Sequence, residues 1–126
     1  MAIIKNIELD NFRNFTNFKV ELDNKLNILF GDNGSGKTNI LEAISLISKG
    51  RGIRNSNISN FIKKNKENFL IKNKIDILGN IFDVKIYTEK NNDKFKKIIT
   101  INDDISKSSI EHINQSVSFL TFVPEM

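Results

Sequence analysis

An eight-residue glycine-rich segment constrains this sequence more than any other feature: Gly31-Asp32-Asn33-Gly34-Ser35-Gly36-Lys37-Thr38. It fills every fixed position of the pattern G-x-x-x-x-G-K-[ST], and it lies between the apolar run 26–30 and a stretch with helical periodicity. Several consecutive backbone N–H groups must turn inward around a phosphate chain, and only residues with little or no side chain allow that approach. The segment therefore predicts a loop that binds a nucleoside triphosphate.

The residue types within this loop predict individual roles. We expect Lys37 to reach the β- and γ-phosphates and the Thr38 hydroxyl to coordinate Mg²⁺. The helix that begins at about Lys37 directs its positive dipole end at the same anion. A merely flexible turn would explain the glycines, but it would predict neither the Lys-Thr pair nor the order of strand, loop and helix. The predicted nucleotide ligands are Gly31, Asp32, Asn33, Gly34, Ser35, Gly36, Lys37 and Thr38.

Composition excludes several other classes of site. The 126 residues contain no cysteine and a single histidine, His112, so neither a disulfide framework nor a zinc site is expected. No apolar run approaches the ~18 residues of a membrane span, and we expect a soluble cytoplasmic protein. The net charge of +4 permits contact with nucleic acid without requiring it. The basic segments 62–66 and 94–97 are equally typical of solvated turns.

Apolar periodicity predicts an α/β fold with an antiparallel lobe. We expect strands at 3–9, 18–22 and 26–30, with a polar turn at 11–17 between the first two. A helix is predicted over 37–49, with Ile40, Ile44 and Ile47 on one face and Leu41 beside them. Strands at 69–78, 82–89 and 96–102 predict a meander. Shorter elements are expected at 58–63 (helix), 108–113 (helix) and 119–123 (strand).

The segment 98–104 needs separate interpretation, because an apolar strand that ends in two acids resembles a Walker B element. It directly follows another strand across a short turn, and Asn102-Asp103-Asp104 is favourable turn chemistry. We interpret it as a hairpin tip. The sequence then offers no acid to hold the metal for hydrolysis, and no catalytic residue is predicted.

Four segments together resemble the amino-terminal part of the RecF family. The most specific elements are the asparagine inside the loop, the continuation Thr-Asn-Ile-Leu-Glu-Ala-Ile and the string Gly-Arg-Gly-x-Arg. The first two are shared with SMC-type and other ABC-like heads, while the third favours RecF. The segments are residues 10–15, 31–44, 50–54 and 121–126.

The resemblance implies that residues 1–126 are the amino-terminal segment of an ABC/SMC-like P-loop ATPase head with an antiparallel β lobe. It implies ATP and Mg²⁺ as cofactors and two copies that close on ATP. It also implies binding to gapped DNA and to single-strand/double-strand junctions, together with RecO and RecR, in recombinational repair, replication and the SOS response. Arg13 matches a basic position near the nucleotide in related heads, although an ordinary surface arginine would give the same sequence pattern. Arg51 and Arg54 either face DNA phosphates or cap and solvate the loop after the helix.

The sequence departs from the RecF pattern after Met126, where the family continues with a helical lobe, the signature motif and Walker B. We therefore expect a truncated reading frame or a fragment, and weak ATPase activity only in a full-length dimer. Another SMC/ABC-like chromosome-associated ATPase head is an alternative. A small P-loop kinase is less compatible, because it needs a lid with catalytic arginines where this sequence predicts strands.

Overall fold

The computed structural model describes residues 2–23, 36–46, 57–105, 108 and 111–113. The helical elements include α1, Lys37–Ser45, and a 3₁₀ helix, Ile58–Phe61. The strands are β1, Ala2–Phe12; β2, Phe15–Glu21; β3, Leu70–Ile77; β4, Asn80–Asn91; and β5, Lys94–Ile101. The predicted strands 26–30 and 119–123 lie outside the described residues, as do the loop residues 31–35.

Within the described residues the strands form a five-stranded antiparallel sheet in the order β2-β1-β3-β4-β5. The predicted meander is confirmed, because β3, β4 and β5 follow one another across tight turns at 78–79 and 92–93. Each of these turns contains residues with positive φ, including Gly79 and Asn92. Glycine and asparagine tolerate that conformation, which is why the chain turns between strands at these positions.

The connection between β1 and β2 is shorter than the sequence predicted. A polar turn over 11–17 was expected, whereas β1 continues to Phe12, β2 begins at Phe15, and these two phenylalanines pair across the hairpin. Phe12 is fully buried, stacks on Phe61 and meets Phe69 edge to face. Asn11 and Arg13 on either side of Phe12 have positive φ, and only Arg13 and Asn14 form the turn.

One face of the sheet carries the hydrophobic core. Alternate residues of the central strands are buried there, as expected for a half-buried sheet. The opposite face is polar and carries exposed ion pairs such as Lys19–Glu8. The core of the described residues includes Ile7, Leu9, Ile71, Ile75, Val84, Ile86, Ile40 and Ala43 of α1, and its C-cap Leu46.

Asn73 is an exception within this core. It lies in β3 opposite Ile7 of β1 and Val84 of β4, and only 2% of its surface is exposed. Neither its amide nitrogen nor its amide oxygen has a hydrogen-bond partner in the part of the chain that the structure describes. A buried amide without partners opposes folding. The alternation of β3 places position 73 on the buried face with Ile71 and Ile75, but it does not show whether the amide has a partner.

The helices agree with the sequence in position and differ in extent. The helix predicted over 37–49 is seen as α1, which ends at Ser45 with Leu46 as its C-cap, while 47–49 lie outside the described residues. Ile40 is buried and Ile44 half-buried, as predicted, and Ile47 is not described. The helix predicted at 58–63 is a single 3₁₀ turn. Residues 108 and 111–113 are helical, in agreement with the predicted helix at 108–113.

Candidate functional site

The site is organised around the first turn of α1. Gly36 precedes the helix as its N-cap with φ 101° and ψ 7°, and its carbonyl oxygen accepts the Ile40 N–H at 3.0 Å. Lys37 and Thr38 are the first two helical residues, and the Thr38 side chain is exposed. The first N–H groups of a helix have no carbonyl partners within it, and they favour an anion in front of them. Three of the eight predicted loop residues are therefore placed at a helix start.

The remaining predicted ligands, 31–35, lie outside the described residues, so their contacts stay a prediction. The same holds for Arg51 and Arg54. What the structure does show is the surface against which the end of the loop packs.

The β1–β2 turn packs directly against Gly36. A Cβ atom built at Gly36 would lie 2.8 Å from Phe15 Cζ and 3.4 Å from Asn14 Nδ2. Asn39, which follows Thr38, donates from its Nδ2 to Asn14 Oδ1 at 2.9 Å. Glycine at position 36 is thus required twice, by its positive φ and by this close approach.

Arg13, the first residue of this turn, is held by α1 and by the 3₁₀ helix. Its Nε donates to Glu42 Oε1 at 2.9 Å, and its side chain is 19% exposed while that of Glu42 is 0% exposed. Its backbone N–H donates to the Phe61 carbonyl oxygen at 2.7 Å, and its guanidinium carbon lies 4.8 Å from the centre of the Phe61 ring. The structure therefore places Arg13 beside the helix that begins with the loop residues, whereas direct contact with a nucleotide stays a prediction.

Sequence reasoning missed Glu42. A signal was present, because Glu42 is an acid between two apolar residues, Leu41 and Ala43, on a helix predicted to face the core. An acid in such a position requires a compensating cation or donor when it is buried. No local pattern indicated that the cation would come from a turn 29 residues earlier.

An open depression of about 500 Å³ adjoins the start of α1. Lys63 crosses it, and its Nζ donates to the Asn14 backbone oxygen at 3.2 Å. The depression presents cations and amides, groups that donate hydrogen bonds to phosphate or polar ring atoms. Its lining residues are Arg13, Asn14, Asn39, Asn60, Ile62, Lys63 and Lys64. Lys63 and Lys64, from the basic segment 62–66, thus line this depression.

The acids at 103–104 form a hairpin tip, as predicted. Strand β5 is antiparallel to β4, and the chain reverses at 102–103 so that Asp104 bridges back to Ile101. Asp103 accepts a 2.8 Å hydrogen bond from Lys85 Nζ, and this bond lowers the pKa of the Asp103 carboxyl. Across the described ranges, no group of three or more histidine, cysteine, aspartate or glutamate residues is arranged to hold a metal ion. Nor does any helix in those ranges have the length and hydropathy needed to cross a membrane.

Comparison with known proteins places this geometry in a family. The model of the "RecF/RecN/SMC N terminal domain" matches residues 3–121. The protein described as DNA replication and repair protein RecF in Ruminiclostridium cellulolyticum is 45% identical over 124 residues, which cover 98% of this chain and 32% of the relative. The Rickettsia typhi protein of the same description is 34% identical over 123 residues, covering 98% of this chain and 33% of the relative. The chain therefore spans about a third of the length of these relatives.

Solved structures agree. The structure of the recombination mediator protein RecF with ATP, in the RecFOR pathway, matches with a TM-score of 0.76 and 31% identity, covering 98% of this chain and 33% of that chain. A second RecF structure, named with the ligand ATPrS, matches with a TM-score of 0.75 and 33% identity over 89% of this chain and 29% of that chain. The fold class predicted from the sequence, a P-loop ATPase head of the ABC/SMC-like type with an antiparallel sheet, is confirmed. The chain belongs to the RecF/RecN/SMC N-terminal domain family, and within that family it is similar to RecF.

Proposed function

We propose that this chain is the nucleotide-binding segment of a RecF-like, ATP-dependent DNA-binding protein of replication and recombinational repair. One observation carries the proposal: Gly36, Lys37 and Thr38 open α1 in the order that the phosphate-binding pattern requires, and Gly36 has a φ of 101°, which favours glycine. The similarity to RecF solved with ATP supports the same ligand for this chain.

The residues fit a triphosphate and its metal ion. The side-chain-free Gly36 lets the loop end approach the β1–β2 turn where any Cβ would collide with Phe15. In this proposal residues 31–38 hold the phosphates, Lys37 neutralises their charge, and the Thr38 hydroxyl is a Mg²⁺ ligand. Arg13 precedes Asn14, whose side chain lies beside Gly36, and in this proposal Arg13 adds positive charge beside the loop. Bound Mg²⁺ would neutralise phosphate charge and fix the orientation of the triphosphate tail.

The proposed macromolecular partners follow from the RecF similarity and from charge. Lys63 and Lys64 line the depression beside α1, and the chain carries a net charge of +4. Cations of this kind bind the nucleic-acid backbone without reading its sequence. We infer gapped DNA or a single-strand/double-strand junction as substrate, RecO and RecR as protein partners, and an ATP-dependent homodimer in the full-length family. The same similarity suggests action in the cytoplasm and in the SOS response.

A nucleotide titration tests the first part of this proposal. We expect the chain to bind a fluorescent ATP analogue in the presence of Mg²⁺ and Lys37→Ala to abolish that binding, because the charge next to the phosphates is lost. Lys96→Ala is the matched control, since Lys96 is an exposed lysine on β5. Equal affinity of the Lys37→Ala variant and the unmodified chain would refute the nucleotide site.

A DNA-binding assay tests the second part. Fluorescence anisotropy with gapped duplex DNA, measured with ATP and without it, should show tighter binding with ATP. We expect this gain to disappear in the Lys37→Ala variant and the affinity to fall with added salt. Equal DNA affinity with and without ATP would contradict ATP-dependent action on DNA. It would not affect the proposed nucleotide site, which the titration tests.

A further inference from the structure

Three contacts of the β1–β2 turn follow one face of α1. Asn14 and Phe15 approach Gly36, the Asn14 side chain accepts from Asn39, and Arg13 donates to Glu42. Asn39 and Glu42 are three residues apart in α1 and are therefore neighbours on its surface, while Gly36 precedes the helix as its N-cap. The turn therefore lies along the helix from the phosphate-loop glycine to Glu42.

Glu42 is the last of these three contact positions along the chain and the only charged residue among them. Its side chain is 0% exposed, so its carboxylate depends on compensation from within the protein. Arg13 supplies a charge-assisted hydrogen bond at 2.9 Å. The Arg13 backbone N–H is hydrogen-bonded to the Phe61 carbonyl oxygen, and its guanidinium lies over the Phe61 ring. Phe61 therefore restrains both the backbone and the side chain of Arg13.

We propose that Glu42 is a positioning residue of the nucleotide site that acts through Arg13: its buried carboxylate fixes the arginine and so holds the β1–β2 turn against the loop glycine Gly36. The inference rests on the proposed nucleotide binding for its functional consequence. The role of Glu42 in fixing Arg13 and the β1–β2 turn is independent of any ligand, because these contacts are present in the protein without one.

A double-mutant cycle on nucleotide affinity tests this coupling. The four proteins are the unmodified chain, Arg13→Gln, Glu42→Gln and the double variant, titrated with a fluorescent ATP analogue and Mg²⁺ at a temperature where circular dichroism shows each to be folded. We expect each single change to weaken binding about tenfold and the double change to weaken it no further than the worse single change. Lys85→Gln is the matched control, because Lys85 forms an ion pair of similar length, 2.8 Å, at the exposed hairpin tip; its affinity should not change.

Two results would overturn the proposal. In one, Glu42→Gln lowers the melting temperature but binds nucleotide as the unmodified chain does, which is the behaviour of a purely structural pair. In the other, the two single effects multiply in the double variant, which means that Glu42 and Arg13 act separately. If Glu42→Gln does not fold, the comparison of Arg13→Gln with the unmodified chain replaces it: this change removes the charge that pairs with Glu42, and unchanged affinity in that variant also contradicts the proposal.

Hydrogen exchange in the nucleotide-free protein separates this inference from the proposed function. The Ile40 N–H is bonded to the Gly36 oxygen, so its protection reports on the first turn of α1. We expect Glu42→Gln to accelerate Ile40 exchange and Lys85→Gln to leave it unchanged. If the unmodified chain binds no nucleotide, the proposed function fails while this measurement still decides the positioning role. An unchanged exchange rate of the Ile40 N–H in Glu42→Gln would overturn the positioning role of Glu42.

Discussion

Replacing Gly36 by alanine should destabilise the protein through two separable effects. The first is conformational, because Gly36 has φ 101° and a non-glycine residue in the left-handed region costs about 1–2 kcal/mol. The second is steric, because the new Cβ would lie 2.8 Å from Phe15 Cζ. The Phe15 ring packs against Phe18 with centroids 4.9 Å apart, which limits how far it can move away.

Gly79 separates the two effects. It has φ 90°, close to that of Gly36, but nothing lies within 4 Å of a Cβ built there. Gly79→Ala should therefore cost only the conformational term, about 1–2 kcal/mol. Gly36→Ala should cost that amount plus about 1–3 kcal/mol for the overlap, or about 2–5 kcal/mol in total.

Thermal and denaturant unfolding measure these costs. For a chain of this size each kcal/mol corresponds to about 3–6 °C in melting temperature, so Gly36→Ala should melt at least about 3 °C below Gly79→Ala. The steric term is isolated by repeating Gly36→Ala in a Phe15→Leu background, where its cost should fall toward that of Gly79→Ala. Equal costs at the two glycines, or a Gly36→Ala cost that Phe15→Leu does not change, would refute the contact between the loop and the turn.

Three further outcomes are expected. Asn73→Leu, which keeps the shape of the buried side chain but removes its unpaired amide, should raise the free energy of unfolding by about 1–3 kcal/mol in denaturant titrations, and a loss of stability would reveal a partner for that amide. The chain should hydrolyse no ATP above background, and Asp103→Asn combined with Asp104→Asn should change nothing; turnover that depends on these acids would reverse their assignment to a hairpin tip. In an NMR titration the Asp103 carboxyl should have a pKa below its ordinary value because Lys85 donates to it, and Lys85→Gln should raise that pKa. An Asp103 pKa that is the same in the unmodified chain and in Lys85→Gln would contradict the ion pair.

Local patterns in the sequence were sufficient for much of the fold. Alternating apolar residues predicted the meander of β3, β4 and β5, because residues on one side of a strand share one environment. The start of α1 at Lys37 followed from the glycine-lysine-threonine order. The hairpin tip at 102–103 followed from turn chemistry. In each case the residues that specify the structure are neighbours along the chain.

The β1–β2 turn shows where local patterns were insufficient. Asparagines around Phe12 and Phe15 suggested a long polar connection, yet packing of Phe12 on Phe61 extends the strands and leaves two residues in the turn. Burial of an aromatic ring against a segment about fifty residues later outweighs the local preference of the asparagines.

The sequence by itself predicted a phosphate-binding loop and determined where α1 begins, because both are specified by contiguous residues and, in the loop, by the need for small side chains. Only the tertiary structure decided that Arg13 pairs with Glu42, that the buried Asn73 amide has no partner among the described residues, and that the β1–β2 turn lies against Gly36. The physical reason is distance along the chain. The energy of a buried charge or amide depends on which remote groups surround it, and no local pattern carries that information.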